Sequence, residues 1–218
     1  MKNYLIVTGG IIDLDFAGSF LKKHTFDTVI AVDAGLEAVQ KLGLMPTVIV
    51  GDFDTVKPSV LLKYQQLPDV IWEIHKPEKD ATDTELAVHT AIRMGAASIT
   101  ILGATGGRID HMLGNIHLLD CALQRNIPAF ILDAHNKIYL LKEGKTFHRA
   151  DTFGTYISFL PLTEAITGIT LTGFKYPLTE KNITIGQEAG LCISNELLGD
   201  LAQITFHSGI LICIESCD

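Results

Sequence analysis

From residue 4 to about residue 133, short runs rich in Val and Ile alternate with stretches of helical periodicity, an order that leaves few folds open. Residues 4–8, 28–32, 47–50, 70–75, 98–102 and 129–132 read as buried strands. The clearest helix between them spans about 83–94, where Ala87, Val88, Ala91 and Ile92 form one apolar stripe and Gly95 supplies a stop. A second, about 110–124, sets Met112, Ile116, Leu119 and Leu123 on one face. Alternation of this kind predicts an α/β domain with a mostly parallel sheet and helices on both faces. After Asn136 the helical period stops, and short Thr-, Ile- and Phe-containing runs at 137–141, 145–148, 156–160, 166–172, 190–194, 202–206 and 210–215 alternate with turn residues. The expected organisation is therefore an α/β domain over residues 1–135, followed by a smaller all-β, sandwich-like domain over 136–218.

Composition excludes several classes. With 218 residues and 47% hydrophobic content the chain can bury a substantial core. A balance of 17 basic against 25 acidic residues, net −8, argues against a sequence-independent grip on nucleic acid, which needs clustered Lys and Arg. Cys121, Cys192, Cys213 and Cys217 form no CxxC pair and no zinc spacing, and read as reduced thiols. The first apolar run is cut by Gly9 and Gly10, too short for a signal sequence or a membrane span, so a cytoplasmic protein with no membrane partner is expected. The sequon at 182–184 would matter only in a secreted protein.

Asp33, Asp52, Asp54, Asp80, Asp83 and Asp110 each fall just after an apolar run, where a parallel strand would end. In open α/β sheets the ligand crevice lies outside the carboxyl ends of the strands, so these carboxylates are expected along one rim. Such a cluster repels itself unless a cation sits in it. Mg²⁺ is held by one or two carboxylates plus substrate phosphates, which makes a nucleotide polyphosphate the natural guest.

Three stretches sharpen this. In Gly51-Asp52-Phe53-Asp54-Thr55 an extended DxD would turn both carboxylates to one side and chelate Mg²⁺, although Gly-Asp and Asp-Thr also make ordinary turns. In Lys79-Asp80-Ala81-Thr82-Asp83-Thr84-Glu85, Thr82 and Glu85 form a capping box and Asp83 suits the first helical turn. Asp80 lies before the cap and is the better metal candidate, while Lys79 could offer a point charge to phosphate; Thr82 is counted with the nucleotide contacts. In the loop 103–111, Gly106 and Gly107 would let backbone N–H groups approach phosphate and Arg108 adds a fork of donors, without matching a Walker A or GxGxxG pattern. Asp110 serves as a helix cap or as a further acid of the rim, and His111 and Asn115 share a face that could reach the same nucleotide. After the second strand, Asp33 could accept a ribose hydroxyl while Gly35 lets the turn pass close to it, with a helix cap as the alternative.

Taken together, VIVGDFDTV (48–56), KDATDTELAV (79–88) and GATGGRIDHMLGNIHLL (103–119) resemble the thiamin pyrophosphokinase family, and GFKYPL (173–178) and GLCISNE (190–196) in the β-rich part are similar to that family's GxKYPL and GxSNE stretches. The resemblance implies transfer of pyrophosphate from ATP, the co-substrate, to thiamin, giving thiamin diphosphate and AMP. It implies a homodimer whose active site lies between protomers. It implies a Mg²⁺ site at Asp52, Asp54 and Asp80, with Asp83, Arg108 and Asp110 completing the catalytic set and Ser194 and Asn195 contacting thiamin. Asp83 and Asp110 are both candidates for accepting the alcohol proton. Some relatives stack a β-domain tryptophan on thiamin; here the single tryptophan is Trp72 in the other half, leaving Phe206, His207 and Tyr176 as aromatic candidates. Three rival readings share parts of the pattern: a pyrophosphokinase acting on a pterin alcohol, a metal-dependent nucleotide hydrolase, and a non-catalytic nucleotide-binding sensor.

Overall fold

The computed structural model describes residues 2–54, 56–75 and 80–218. The chain folds into two compact units, Met1–Ala134 and His135–Asp218. In the first, strands β1 (Asn3–Val7), β2 (Thr28–Val32), β3 (Val48–Gly51), β4 (Ile71–Ile74), β5 (Ser98–Leu102) and β6 (Ala129–Leu132) pair in the order β4-β3-β2-β1-β5-β6, every neighbour parallel. Helices α1 (Leu14–Lys23), α2 (Gly35–Lys41), α3 (Pro58–Gln65), α4 (Asp83–Arg93) and α5 (Ile109–Leu123) make the crossovers. The chain winds outward from β1 to β4, then returns to the far side of β1 as β5. Right-handed crossovers therefore put α1–α3 on one face and α4–α5 on the other. In keeping with this, α2 packs on α3, α4 packs on α5, and α2 and α4 both lie against β1 and β2.

Coverage on both faces explains why the strand runs are continuously apolar rather than alternating: β2 and β3 are buried at every residue, whereas the edge strand β4 exposes Ile71 and Ile74. The helix starts follow local chemistry. Asp13 caps α1 by accepting from the Asp15 and Phe16 amides, Pro58 opens α3, and the Thr82 hydroxyl accepts from the Glu85 amide at 3.2 Å to cap α4.

The second unit holds two antiparallel sheets. In one, β13 (Leu211–Ser216) lies between β7 (Asn136–Leu141) and β9 (Tyr156–Pro161). The other runs β11-β10-β12-β8, built from β8 (Lys145–His148), β10 (Ala165–Thr172), β11 (Leu178–Thr184) and β12 (Leu201–Thr205). Phe147, Phe159 and Phe174 meet edge to face with ring centroids 5.9 Å apart and are all buried. Glu215 is 2% exposed on β13 and accepts from the Tyr139 hydroxyl at 2.6 Å and the Phe153 amide at 2.6 Å, which satisfies its carboxylate inside the core.

The expected strand at 190–194 does not form. Ala189–Cys192 is a 3₁₀ turn, flanked by Glu188 and Ser194 at φ +55° and +54°, left-handed conformations that interrupt an extended run. Leu178–Thr184 is a strand that hydrophobic patterning does not reveal, because this sheet-edge segment is almost wholly exposed and polar. Among the described residues no helix is long and apolar enough to cross a membrane. The four cysteines are free thiols.

Candidate active site

The return of β5 to the side of β1 makes a topological switch point, and the chain opens there into a cleft of about 610 Å³. Two glycine-containing loops meet backbone to backbone. The Gly10 amide donates to the Gly103 carbonyl at 2.9 Å and the Ile11 amide to the Thr105 carbonyl at 3.2 Å. A Cβ on Gly10 would lie 2.2 Å from the Gly103 oxygen, so nothing larger than glycine fits. The buried Asn115 amide donates to the Ala104 carbonyl at 3.0 Å and fixes the β5–α5 loop from the helix side. Gly106 and Gly107 follow at φ +78° and +73°, a left-handed backbone path that favours glycine. Thr82, Asp83 and Thr84 in the first turn of α4 and Arg108 at the cap of α5 also line the cleft, so the positive ends of two helices converge on it.

The lining also carries three acids, Asp33, Asp52 and Asp83, the last on the first turn of α4 itself. Asp33 sits at φ +42° and accepts from the Phe53 amide at 3.3 Å. Its approach depends on Gly51, where a Cβ would stand 1.8 Å from Asp33 Oδ1. Burial pushes the Asp33 carboxyl up to about 7, reinforced by the charge of Asp83, a hydrogen bond shared with Asp83, and the charge of Asp52.

The expected site residues divide into groups. Asp33, Asp52, Thr82, Asp83, Gly106, Gly107, Arg108, His111 and Asn115 line the cleft. Gly35 does not: it is buried with its Cα against the Val7 carbonyl, where a Cβ would come within 2.1 Å, and so it seats α2 on β1. Asp54 and Asp80 are exposed and stand outside the lining. The extended DxD expectation fails because Phe53 at φ +63° breaks the period-two alternation; instead Asp52 Oδ1 accepts from the Asp54 amide at 3.2 Å in a tight turn. Asp110 lines a smaller recess beside the cleft, together with Thr82, Glu85 and His111. Arg108 grips Asp110 with two bonds, Nε to Oδ1 at 3.1 Å and Nη2 to Oδ2 at 2.6 Å, and these bonds hold the Asp110 carboxyl down at about 2. Lys79 lies outside the described residues.

In the second unit Ser194 is exposed, with its amide bonded to Ser158 Oγ at 2.9 Å. Asn195 is 1% exposed: its Oδ1 accepts from the Tyr176 and Glu196 amides and its Nδ2 donates to the Tyr176 carbonyl. That side chain is spent on holding the Lys175-Tyr176 segment. Sequence reasoning missed Thr8, Gly9, Gly10 and Thr84, all in the cleft lining. The signal was there in Gly9-Gly10 directly after the first strand, a position where a parallel sheet turns toward its ligand.

The carboxyl donors of the lining are hard oxygens, the kind Mg²⁺ takes. Among the described residues no three His, Cys, Asp or Glu side chains gather closely enough to hold a metal by themselves. Mg²⁺ does not need such a cage, since phosphate and water supply most of its shell, and the crowded carboxyls of Asp33, Asp83 and Asp52 suit a cation arriving with a polyphosphate.

The family described as "Thiamin pyrophosphokinase, catalytic domain" matches residues 21–131, and "Thiamin pyrophosphokinase, vitamin B1 binding domain" matches residues 141–211. A thiamine pyrophosphokinase of Bacillus subtilis is 39% identical over 220 residues, with both chains covered in full. The crystal structure of thiamine pyrophosphokinase from Bacillus subtilis superposes with a TM-score of 0.86 at 35% identity, covering all of both chains. That of thiamin pyrophosphokinase from Geobacillus thermodenitrificans gives 0.84 at 34%, covering 99% of this chain and 98% of the other. With a glycine-walled acidic cleft at the switch point and relatives matched from end to end, the chain belongs to the thiamin pyrophosphokinase family.

Proposed function

We propose that this protein transfers a pyrophosphoryl group from ATP to the hydroxyethyl oxygen of thiamin, releasing AMP and thiamin diphosphate. The observation that carries the reading is the cleft itself, whose lining brings together the glycine loop, two helix N-termini and the carboxyls of Asp33, Asp52 and Asp83. Anion-binding and cation-binding groups gathered in one cavity suit a metal-bound polyphosphate.

The Gly106 and Gly107 amides and the N-termini of α4 and α5 bind the phosphate chain. Arg108 meets charge developing on the transferred group, with Asp110 steadying the guanidinium. Asp110, held at about 2 by Arg108, is a poor proton acceptor. That leaves Asp83, whose carboxyl shares a hydrogen bond with Asp33, to take the proton of the attacking alcohol. Asp52, Asp54 and Asp80 would hold Mg²⁺. When bound, the ion neutralises phosphate charge and polarises the reacting phosphorus. His111 and Asn115, both in the cleft lining, would lie beside the nucleotide.

The first unit would bind nucleotide and metal, and the second would bind thiamin through the Ser194-Asn195 region, Ser194 as a contact and Asn195 as its support. The active unit is a cytoplasmic homodimer in which each nucleotide cleft faces the β unit of the partner protomer. The test is incubation with Mg-ATP and thiamin, scored by chromatography for AMP and thiamin diphosphate. Equal yields of both are expected, with neither formed without thiamin or with a pterin alcohol in its place. ATP loss without an acceptor, or turnover of the pterin alcohol, would overturn the assignment.

A further inference from the structure

The β5–α5 loop is anchored at each residue that precedes its paired glycines. Gly103 O is held by the Gly10 amide, Ala104 O by the Asn115 side chain and Thr105 O by the Ile11 amide. Thr105 has a further tie. The residue is 8% exposed and absent from the cleft lining, and its hydroxyl donates to Asp133 Oδ2 at 2.7 Å. Asp133 follows directly on β6, so the carboxyl end of one strand reaches across to brace the loop of its neighbour. A hydrogen bond to a carboxylate is stronger and shorter than a neutral one, and nothing in the phosphate chemistry requires it.

We propose that Thr105 and Asp133 form a positioning pair for nucleotide binding, with Asp133 fixing the backbone from which the Gly106 and Gly107 amides and Arg108 diverge. The inference rests on the pyrophosphokinase reading of the cleft. Neither side chain touches the nucleotide; both act through where the next three residues begin. Gly106 adds a geometric reason for precision at this point. It is packed so closely on Ile11 that a Cβ would lie 2.8 Å from the Ile11 Cβ, so a shift of Thr105 carries Gly106 against that side chain or away from it. Losing the brace should therefore degrade the grip on polyphosphate while leaving thiamin recognition alone.

The experiment compares Thr105→Val, Asp133→Ala, the double variant and Thr105→Ser, each measured for steady-state kinetics and for direct Mg-ATP binding without thiamin. Thr105→Val and Asp133→Ala are each expected to raise the KM for ATP and weaken Mg-ATP binding about tenfold, with the KM for thiamin unchanged. The double variant should be no worse than Asp133→Ala alone, because the bond to Thr105 is already lost in it. Thr105→Ser, which keeps the hydroxyl, should stay within about twofold of the wild type. A purely structural role would lower thermal stability and the active fraction without moving the KM for ATP. An unchanged KM for ATP in Thr105→Val, additive losses in the double variant, or a Thr105→Ser defect equal to that of valine would each overturn the pair. A wild-type protein that makes no thiamin diphosphate would instead overturn the functional reading, and the binding arm separates the two.

Discussion

Replacing Asp33 by asparagine should stabilise the ligand-free protein at alkaline pH. Asn tolerates the left-handed φ of +42° and keeps an oxygen for the Phe53 amide, so the substitution removes charge with little else. The Asp33 carboxyl is raised from 3.8 to about 7 in the folded chain by burial and by Asp83 and Asp52. The folded state therefore binds more protons than the unfolded state between those values. Stability from this group is complete below about pH 4, falls as pH rises through 7, and is gone above it. Three units at 1.36 kcal/mol each set a ceiling of about 4 kcal/mol, and partial solvent screening of a half-buried, coupled group brings the expectation to about 2 kcal/mol. Urea unfolding in EDTA, without nucleotide, can be followed by the fluorescence of Trp72, the single tryptophan, whose ring lies 5.3 Å from that of Phe53 in the same unit. The wild type should lose about 2 kcal/mol relative to Asp33→Asn between pH 4 and pH 8. Parallel pH profiles for the two proteins would refute the crowded-carboxyl account of the cleft.

Arg108→Ala should leave thermal stability within about 0.5 kcal/mol, because the guanidinium and Asp110 are both exposed, yet lower kcat by about 10²–10³; activity within twofold of wild type would remove Arg108 from the phosphate site. Glu215→Ala removes the carboxylate acceptor of the Tyr139 hydroxyl and the Phe153 amide in the core of the second unit and should cost about 3 kcal/mol, measured by urea unfolding with circular dichroism. A loss below about 1 kcal/mol would show that the buried carboxylate contributes little net stability. Burial pushes the Cys192 thiol up to about 11 and Cys213 up to about 12, so at pH 8 Ellman's reagent should label Cys121 and Cys217 first and reach all four only in denaturant; equal rates for all four in the folded protein would contradict this.

The fold class was legible because burial in the first unit is uniform. Continuous Val and Ile runs mark strands covered on both faces, and the strand expectations at 28–32, 98–102 and 129–132 coincide with β2, β5 and β6. The cap at Thr82 and the glycine loop were likewise written in local chemistry. What stayed hidden depends on backbone turns at residues whose type does not announce them. Phe53 at φ +63° breaks the extended alternation between Asp52 and Asp54, and Ser194 at φ +54° interrupts what reads as a strand. Leu178–Thr184 escaped because a polar edge strand has no apolar alternation, and the closed hydrogen-bond set of Asn195 depends on a Tyr176 segment 19 residues away. Gly35 was the right residue type for a close approach, but what approaches is the Val7 carbonyl rather than a nucleotide.

The central claim is that polyphosphate sits where β1 and β5 part, between the glycine loop and the first turn of α4. Hydrogen–deuterium exchange with and without Mg-ATP tests it directly. The account predicts slowed exchange at the amides of residues 8–11, 81–84 and 103–108, with the exposed loops of the second unit unchanged in the absence of thiamin. Protection confined to other segments, with the Gly106 and Gly107 amides exchanging as before, would contradict it.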